Sequence, residues 1–266
     1  MASRHVPRLI VSCNSDPTSG PAELGMIGAL CAHVFFARQP RTIPVLLLVA
    51  AVGQTLSATV PDAADDSIRQ FLAQDVAQPS YRAVRRLDAE NGSRTGWLEA
   101  LTEYSQETGF RYEVMTEGGS SYIRSKVLRA VLDGEQEVIA QGEAARSALA
   151  RANYTFQTNG VDATGLANIL LSPRRKERVL VSGTMFLQRD GGLVRLEGRL
   201  AQSPSFWVKH VDIVRSYERI NGAVVPVALE SNAQLRMLGA ATLRMTYTYS
   251  EIDGHPIGPV PSRVGG

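Results

Sequence analysis

Cysteine is almost absent from this chain of 266 residues, which has two, Cys13 and Cys31. Both lie before an apolar run at 43–58, IPVLLLVAAVGQTLSA. The residues after this run contain no cysteine, which excludes a disulfide framework and a thiol nucleophile from that part of the chain. Any function there depends on other side chains.

The chain also lacks an apolar run long enough for a typical membrane span. A transmembrane helix needs about 20 apolar residues, and the run at 43–58 has 16. Arg38 and Arg41 precede it, and small residues and the polar segment TVPDAADD follow it. This layout predicts a secretory leader that is cleaved near Ala58, with an uncleaved membrane anchor as the alternative. We therefore expect a protein of the bacterial periplasm.

An excess of charge of either sign is missing as well. Residues 1–58 hold four of the 28 Lys and Arg residues and two of the 26 Asp and Glu residues, so 24 of each follow the predicted cleavage site. A neutral protein lacks the basic surface that nucleic acid requires, and we expect no nucleic-acid partner. The basic run at 173–178, PRRKER, is predicted to be a solvated connection, since no aromatic residues interleave with it.

Catalytic motifs are absent too. The sequence has no G-x-S-x-G, no S-x-x-K, no phosphate-binding loop and no paired histidines at metal-ligand spacing. We therefore expect no catalytic centre, no cofactor and no metal.

Histidine is scarce after the apolar run, where only His210 and His255 remain. His210 and Asp212 are two positions apart on a predicted strand, so their side chains share a face. Such a pair can act as a general base. No third group is available to orient it, which favours a hydrogen bond between neighbours on a wet surface. A hydrolase that uses His210 and Asp212 is retained as an alternative.

What the sequence contains is a regular succession of helix and strand patterns, which predicts an α+β fold. The predicted elements are a helix over 65–76, strands over 81–89, 95–105 and 110–117, a helical segment over 120–150, an irregular stretch over 154–176, and strands from 178 onward. Gly134 and Gly142 predict breaks in the helical segment. Its acidic residues Glu135, Glu137 and Glu143 are predicted to lie on a solvated face.

The apolar faces of the closing strands have two interpretations. They are ordinary core if the helices pack flat on the sheet, and they line a cavity if a curved sheet outgrows its helical cover. Phe206 and Trp207 point to opposite faces of the predicted strand, and we favour Phe206 as the one that faces a ligand. The candidate ligand-lining residues are Phe206, Val225, Val227, Leu235, Met237, Leu243, Met245, Tyr247 and Tyr249.

The most distinctive part of the sequence is residues 183–254. There a Pro-Ser-Phe-Trp step (204–207) leads into a strand, an Asn221-Gly222 hairpin and a Val225-Pro226 step. With the preceding order of helix, hairpin strands and central helical segment, this half resembles the outer-membrane lipoprotein-sorting (LolA-like) family.

The resemblance implies an unclosed half β-barrel of antiparallel strands with helices covering its concave face. It also implies that an arginine of an early strand ties down the helical lid, and the candidates for this lid contact are Arg82, Arg85 and Arg86. Members of the family carry acyl chains in the periplasm without catalysing a reaction.

We accordingly expect three parts: an N-terminal extension and leader (1–58), a lipoprotein-sorting-like domain (59–254) and a flexible Gly/Pro-rich tail (255–266). The leading hypothesis is a monomeric, non-enzymatic periplasmic carrier or sensor for lipid or lipoprotein acyl chains. An envelope protein–protein interaction module on the same fold is the alternative, and the hydrolase is a second alternative.

Overall fold

The computed structural model describes residues 63–74, 78–236 and 239–258 of the chain. The leader and cleavage site predicted at 43–58 lie outside the described residues and stay a prediction. Within the described ranges, no helix is both long and apolar enough to cross a membrane.

The described part of the chain forms one antiparallel sheet of eleven strands. They are β1 (Tyr81–Asn91), β2 (Arg94–Ser105), β3 (Gly109–Gly119), β4 (Tyr154–Val161), β5 (Ala167–Pro173), β6 (Val181–Leu187), β7 (Leu193–Leu200), β8 (Val208–Ile220), β9 (Ala223–Leu235), β10 (Gly239–Ile252) and β11 (His255–Pro256). The spatial order is β3-β2-β1-β10-β9-β8-β7-β6-β5-β4, and β11 pairs with β10. Because β3 and β4 stand at opposite ends of this order, the sheet is unclosed.

Two helices cover one face of the sheet. The helix α1 (Ala63–Ala73) packs against β4, β5 and β6. The helix α2 covers 121–140 and contacts β1, β2 and β3. It consists of an α-helical turn (Ser121–Ile123), a π-helical segment (Arg124–Leu128) and an α-helical stretch (Arg129–Ala140). The predicted α+β fold, an unclosed half-barrel with helices on one face, is confirmed.

Period-two alternation places the core on the face beneath the helices, which we call the inner face. In β10 the residues Leu243, Met245, Tyr247 and Tyr249 are buried, and the residues between them are exposed. Buried residues of both helices belong to the same apolar cluster as these strand residues. One core therefore lies between the sheet and its helical cover.

Three local predictions turn out differently. Residues 154–176 were expected to be irregular but contain β4 and β5. Tyr154 is the only buried residue of β4, and the apolar residues Ile169, Leu170 and Leu171 of β5 are consecutive, so neither strand shows clean alternation of apolar and polar residues. The helix α2 runs unbroken through Gly134, where a break was predicted, whereas the break predicted at Gly142 is confirmed, because α2 ends at Ala140 and Gly142 takes a left-handed φ of 68°. The pairing of β11 extends the ordered sheet two residues past the boundary predicted at 254.

Candidate functional site

An ion pair is buried between the sheet and α2. Arg85 of β1 donates from Nη1 to Glu135 Oε2 at 2.6 Å and from Nη2 to Glu135 Oε1 at 3.0 Å. Both side chains are almost inaccessible to solvent. Arg85 faces inward because it shares the parity of the buried Ala83 and Leu87 in β1, and Glu135 faces inward because it lies one turn beyond the buried Val131.

The sequence-based expectation that Glu135 lies on a solvated helix face is therefore wrong. A carboxylate is normally kept out of an apolar interface, but a bidentate guanidinium partner offsets the cost of removing it from water. That partner lies 50 residues earlier in the chain, so the spacing of residues within the helix carries no sign of it.

Aromatic groups complete the surroundings of Arg85. Its Cζ atom lies 4.8 Å from the ring centroid of Phe110 and 4.6 Å from that of Tyr247, and its Nη2 donates to the Tyr81 hydroxyl. Burial by itself lowers the pKa of Arg85, but the adjacent Glu135 carboxylate together with Tyr81 and Tyr247 outweighs burial and raises that pKa well above its ordinary value. The guanidinium is therefore held permanently charged.

The other two candidates for a lid contact point to the outer face. Arg82 pairs with Glu103 at 2.7 Å, and Arg86 pairs with Glu99 at 3.2 Å and stacks over Trp97 at 4.0 Å. Of the three candidates, Arg85 is the one that the structure brings to α2.

A second guanidinium is buried on the inner face. Arg215 of β8 is fully buried, and its Nη2 lies 3.4 Å from the Tyr247 hydroxyl. The ring of Tyr217 is 5.7 Å from Arg215 Cζ, and burial raises the pKa of the Tyr217 hydroxyl. We did not single out Arg215 from the sequence, although it shares the parity of Ile213 and Tyr217, which is the one signal that could have found it.

Most of the proposed ligand-lining residues do lie together on the inner face. Val225, Leu235, Leu243, Met245, Tyr247 and Tyr249 are buried in the apolar cluster, and Val227 is half-buried against it. Met237 lies outside the described residues. The buried residues of α2, namely Ile123, Val127, Leu128, Val131 and Leu132, belong to the same apolar cluster.

Phe206 does not join this group, so its selection as an inward residue was wrong. It precedes β8 in a turn, and 72% of it is exposed. Arg236 lies over its ring at 5.0 Å and donates from Nε to the Phe206 carbonyl at 2.6 Å. Trp207 packs edge-on against Phe206, with 5.5 Å between ring centroids. Both aromatic residues lie at the surface just before the start of β8.

The polar contacts of α2 with the sheet concentrate on β3. Arg124 and Arg129 both pair with Glu117, at 2.5 Å and 2.7 Å. Further along the helix, Gln136 donates to the Phe110 carbonyl at 3.3 Å. Both halves of α2 are thus tethered to the sheet edge, the N-terminal half by two ion pairs, and Glu135 is the charged contact of α2 with β1.

The pair proposed as a general base lies on the opposite face. His210 Nε2 is 3.5 Å from Asp212 Oδ2, and Arg199 binds both carboxylate oxygens of Asp212, at 2.7 Å and 3.1 Å. All three side chains are at least a third exposed. This arrangement is a surface network, in which Asp212 is neutralised by Arg199. Among the residues that the structure describes, no group of three or more His, Cys, Asp or Glu side chains is placed to hold a metal.

Comparisons with known proteins add two structural similarities. No protein-family model and no curated protein matches the chain. A LolA superfamily protein from Nitrosomonas europaea is 9% identical, with a TM-score of 0.37, and the match covers 76% of this chain and 96% of that one. A DUF1329 family protein from Desulfovibrio piger is 11% identical, with a TM-score of 0.34 and coverage of 70% and 90%. At these scores the matches carry no functional weight, and any function has to be inferred from the chain's own side chains.

Proposed function

We propose that the protein is a periplasmic, non-enzymatic carrier or sensor that binds lipid or lipoprotein acyl chains between the inner face of the sheet and α2. The observation that carries the proposal is the Arg85–Glu135 ion pair within an otherwise apolar helix–sheet interface. A buried ion pair contributes less to stability than apolar packing of similar volume. A helix fastened in this way opens more easily than one held by apolar contacts alone.

Burial of the apolar side chains of α2 and burial of an acyl chain contribute similar free energies. Full burial of an apolar side chain contributes roughly 1.5–3 kcal/mol, so the five buried apolar residues of α2 contribute roughly 8–15 kcal/mol. A sixteen-carbon acyl chain gains about 0.8 kcal/mol per CH₂, or roughly 12 kcal/mol, when it is fully buried. An acyl chain can therefore take the place of the helix side chains without a large net cost.

The local structure of α2 suits a helix that moves. Its first half contains the π-helical segment Arg124–Leu128, a wider turn that is frequent at functional sites. Glu117 holds this half through Arg124 and Arg129. We infer that the N-terminal half of α2 stays attached to β3 while its Glu135 end lifts, which breaks the Gln136 contact with the Phe110 carbonyl. In this movement α2 has the role of the lid that Arg85 ties down.

A displacement assay on the purified full-length chain tests the proposal. We expect saturable, one-to-one binding of a fluorescent fatty acid and its displacement by hexadecanoate. The Arg85→Met/Glu135→Leu variant replaces the ion pair with apolar contact and is expected to bind the probe several-fold more slowly. The matched control Arg82→Met/Glu103→Leu removes an outer-face pair and leaves the rate unchanged. Absence of saturable binding by the wild-type chain refutes the proposal.

One observation favours the second candidate, an envelope protein–protein interaction module. Phe206 and Trp207 form an exposed aromatic pair, and aromatic residues are enriched at the centres of protein interfaces. If the module is correct, in-cell crosslinking captures one envelope protein, Phe206→Ser/Trp207→Ser abolishes the crosslink, and the wild-type chain binds no acyl probe. The interaction module is excluded if the wild-type chain binds the acyl probe and Phe206→Ser/Trp207→Ser leaves the crosslinks unchanged.

A further inference from the structure

The two edges of the sheet at which the strands end differ in charge. Because neighbouring strands are antiparallel, alternate connections lie at the same edge. One edge, which we call the basic edge, has five basic residues and one acidic residue in the described strand-to-strand connections 92–93, 174–180, 201–207 and 236. The opposite edge has one basic and four acidic residues in the connections 106–108, 162–166, 188–192, 221–222 and 253–254. The small net charge of the chain therefore conceals a polarity between the two edges.

Three cations of the basic edge are exposed. Lys176, Arg178 and Arg236 are accessible to solvent, and none of them makes an ion pair with a described residue. The acidic residue of this edge, Glu177, pairs instead with Arg175 at 2.5 Å and with Arg146 at 3.6 Å. Exposed cations that no carboxylate neutralises attract anions from solution, so this edge presents a positive surface.

An exposed aromatic pair lies at the same edge. Phe206 and Trp207, at the end of the β7–β8 connection, are 72% and 44% exposed. The Phe206 ring lies 5.0 Å from Arg236 Cζ. The β7–β8 connection is also joined to the β5–β6 connection, because the Ala201 amide donates to the Leu180 carbonyl at 2.8 Å. From β6 to β9 the edge spans three strand spacings, or roughly 14 Å. The aromatic pair and the cations thus form one surface.

A lipid surface fits this composition better than a protein or a nucleic acid. Trp and Phe beside Lys and Arg are typical of segments that lie at the head-group level of a bilayer. A protein partner typically buries about 800 Å² on each side, and lysine is depleted at such interfaces. Single-stranded nucleic acid stacks successive bases on aromatic rings. The rings of Phe206 and Trp207 are instead nearly perpendicular, with 81° between their planes.

We propose that the basic edge docks on an anionic lipid bilayer, where Phe206 and Trp207 lie among the head groups. Lys176, Arg178 and Arg236 bind the lipid phosphates. The same surface repels the acidic opposite edge, so the polarity of charge orients the protein with its basic edge toward the bilayer. This inference goes beyond acyl-chain binding and does not depend on it, because it concerns residues outside the inner face.

The fluorescence of Trp207 tests the docking surface. The chain has two tryptophans, so Trp97→Phe leaves Trp207 as the reporter in the full-length protein. With vesicles of equal parts phosphatidylcholine and phosphatidylglycerol, we expect its emission to shift to shorter wavelengths and brominated acyl chains to quench it. With phosphatidylcholine alone we expect no shift, and added salt is expected to weaken the response. The readout is Trp207 rather than total binding, because the apolar run at 43–58 is an independent route to a vesicle.

A charge variant in the Trp97→Phe chain tests the role of the cations. Lys176→Gln/Arg178→Gln is expected to raise the lipid concentration at half-maximal shift about 25-fold, because each cation near an anionic surface contributes about a fivefold factor. The matched control is Arg111→Gln/Arg189→Gln, which removes two exposed cations at or near the opposite edge. The control is expected to leave the lipid concentration unchanged.

An apolar variant in the same chain tests the aromatic contact. Phe206→Ser is expected to raise the lipid concentration at half-maximal shift several-fold, because it removes apolar surface from the head-group region. Met115→Ser removes an apolar side chain that is 52% exposed on β3 and is the matched control. Circular dichroism checks that each variant is folded.

The outcomes separate this inference from the carrier proposal. No response of Trp207 to anionic vesicles overturns the inference, as does an equal effect of the charge variant and its control. A shift caused by a single-stranded oligonucleotide but not by vesicles, or a crosslink of the aromatic pair to an envelope protein without a lipid response, also overturns it. Binding of the fluorescent fatty acid is expected to be the same in all these variants, so failure of the inference leaves the carrier proposal standing. Absence of fatty-acid binding leaves the docking result unchanged.

Discussion

Arg85 and Glu135 form a bidentate ion pair that is sealed from solvent between a strand and a helix 50 residues apart in sequence. The pair is the charged contact of α2 with β1, and it lies within an apolar cluster. In the proposed carrier, this one pair connects the stability of the domain with access to its inner face.

The first prediction concerns the stability that depends on this pair. Glu135→Ala leaves the Arg85 guanidinium buried without its carboxylate and is expected to lower the free energy of unfolding by about 3–5 kcal/mol. Arg85→Met/Glu135→Leu removes both charges and is expected to be at least as stable as the wild type, because apolar packing of similar volume replaces the pair. Urea denaturation followed by circular dichroism measures both.

The control for this prediction is the exposed pair of Arg82 and Glu103 on the outer face. Glu103→Ala is expected to change the free energy of unfolding by at most about 1 kcal/mol, because exposed ion pairs contribute little. A loss for Glu135→Ala no larger than that of the control contradicts the first prediction.

The second prediction concerns the docking of α1 against the β6–β7 turn. A Cβ atom at Gly191, which has a φ of 77°, would lie 2.4 Å from the backbone nitrogen of Phe71. We expect Gly191→Ala to cost about 2–4 kcal/mol, because it adds a backbone clash to the strain of a left-handed residue.

Gly92 is the matched control for Gly191. Its φ is 59°, but a Cβ atom there would meet nothing within 4 Å. Gly92→Ala is expected to cost about 1 kcal/mol, which is the conformational cost alone. Thermal unfolding of the two variants measures the difference, and equal melting temperatures would show that α1 does not pack against this turn.

The third prediction concerns pH. Burial raises the pKa of Tyr154 to about 12 from an ordinary value of 10, and it raises the pKa values of Tyr81, Tyr217 and Tyr249 further. Above pH 10 the unfolded chain releases phenol protons that the folded chain retains. These tyrosines therefore stabilise the fold fully below pH 10, and the contribution of Tyr154 is lost as the pH rises from 10 to 12.

Urea denaturation at about pH 9 and about pH 11 checks this sign. We expect a total loss of about 1.4 kcal/mol over this interval for each fully buried tyrosine, most of it above pH 10. Phenolate absorbance is expected to appear together with unfolding. Its appearance in the folded protein near pH 10 for most of the eight tyrosines would contradict their burial.

The fourth prediction concerns the surface network of His210, Asp212 and Arg199. His210→Ala is expected to change the free energy of unfolding by less than about 0.5 kcal/mol, because the residue is partly exposed and its substitution leaves the Arg199–Asp212 pair in place. Acyl-probe affinity is expected to be unchanged. If the wild type hydrolyses ester or glycoside substrates and His210→Ala does not, the result contradicts this prediction and supports the hydrolase alternative.

The sheet could be predicted from the sequence because its signals are local. Leu243 to Tyr249 alternate with polar residues, and that alternation alone places them on the buried face. Asn221 and Gly222 take φ values of 50° and 85°, the left-handed turn that the residue types predict.

The candidate site could be predicted only in part, because its signals are not local. Arg85, Arg215 and Glu135 occupy buried positions that a pattern of hydrophobic residues assigns to apolar side chains, and each depends on partners distant in sequence. The prediction that Phe206 faces inward was wrong for a different reason. The start of β8 at Val208 leaves Phe206 in a turn, and strand parity does not apply outside a strand.

Photoaffinity labelling with a hexadecanoate that carries a diazirine in its chain tests the central claim most directly. The full-length chain is irradiated with the bound probe, and the labelled peptides are identified by mass spectrometry. Binding beneath α2 predicts adducts on the inner-face residues of β8 and β10, such as Ile213, Leu243 and Met245, which excess hexadecanoate prevents. Labelling confined to outer-face residues, or labelling that excess hexadecanoate does not reduce, would contradict the claim.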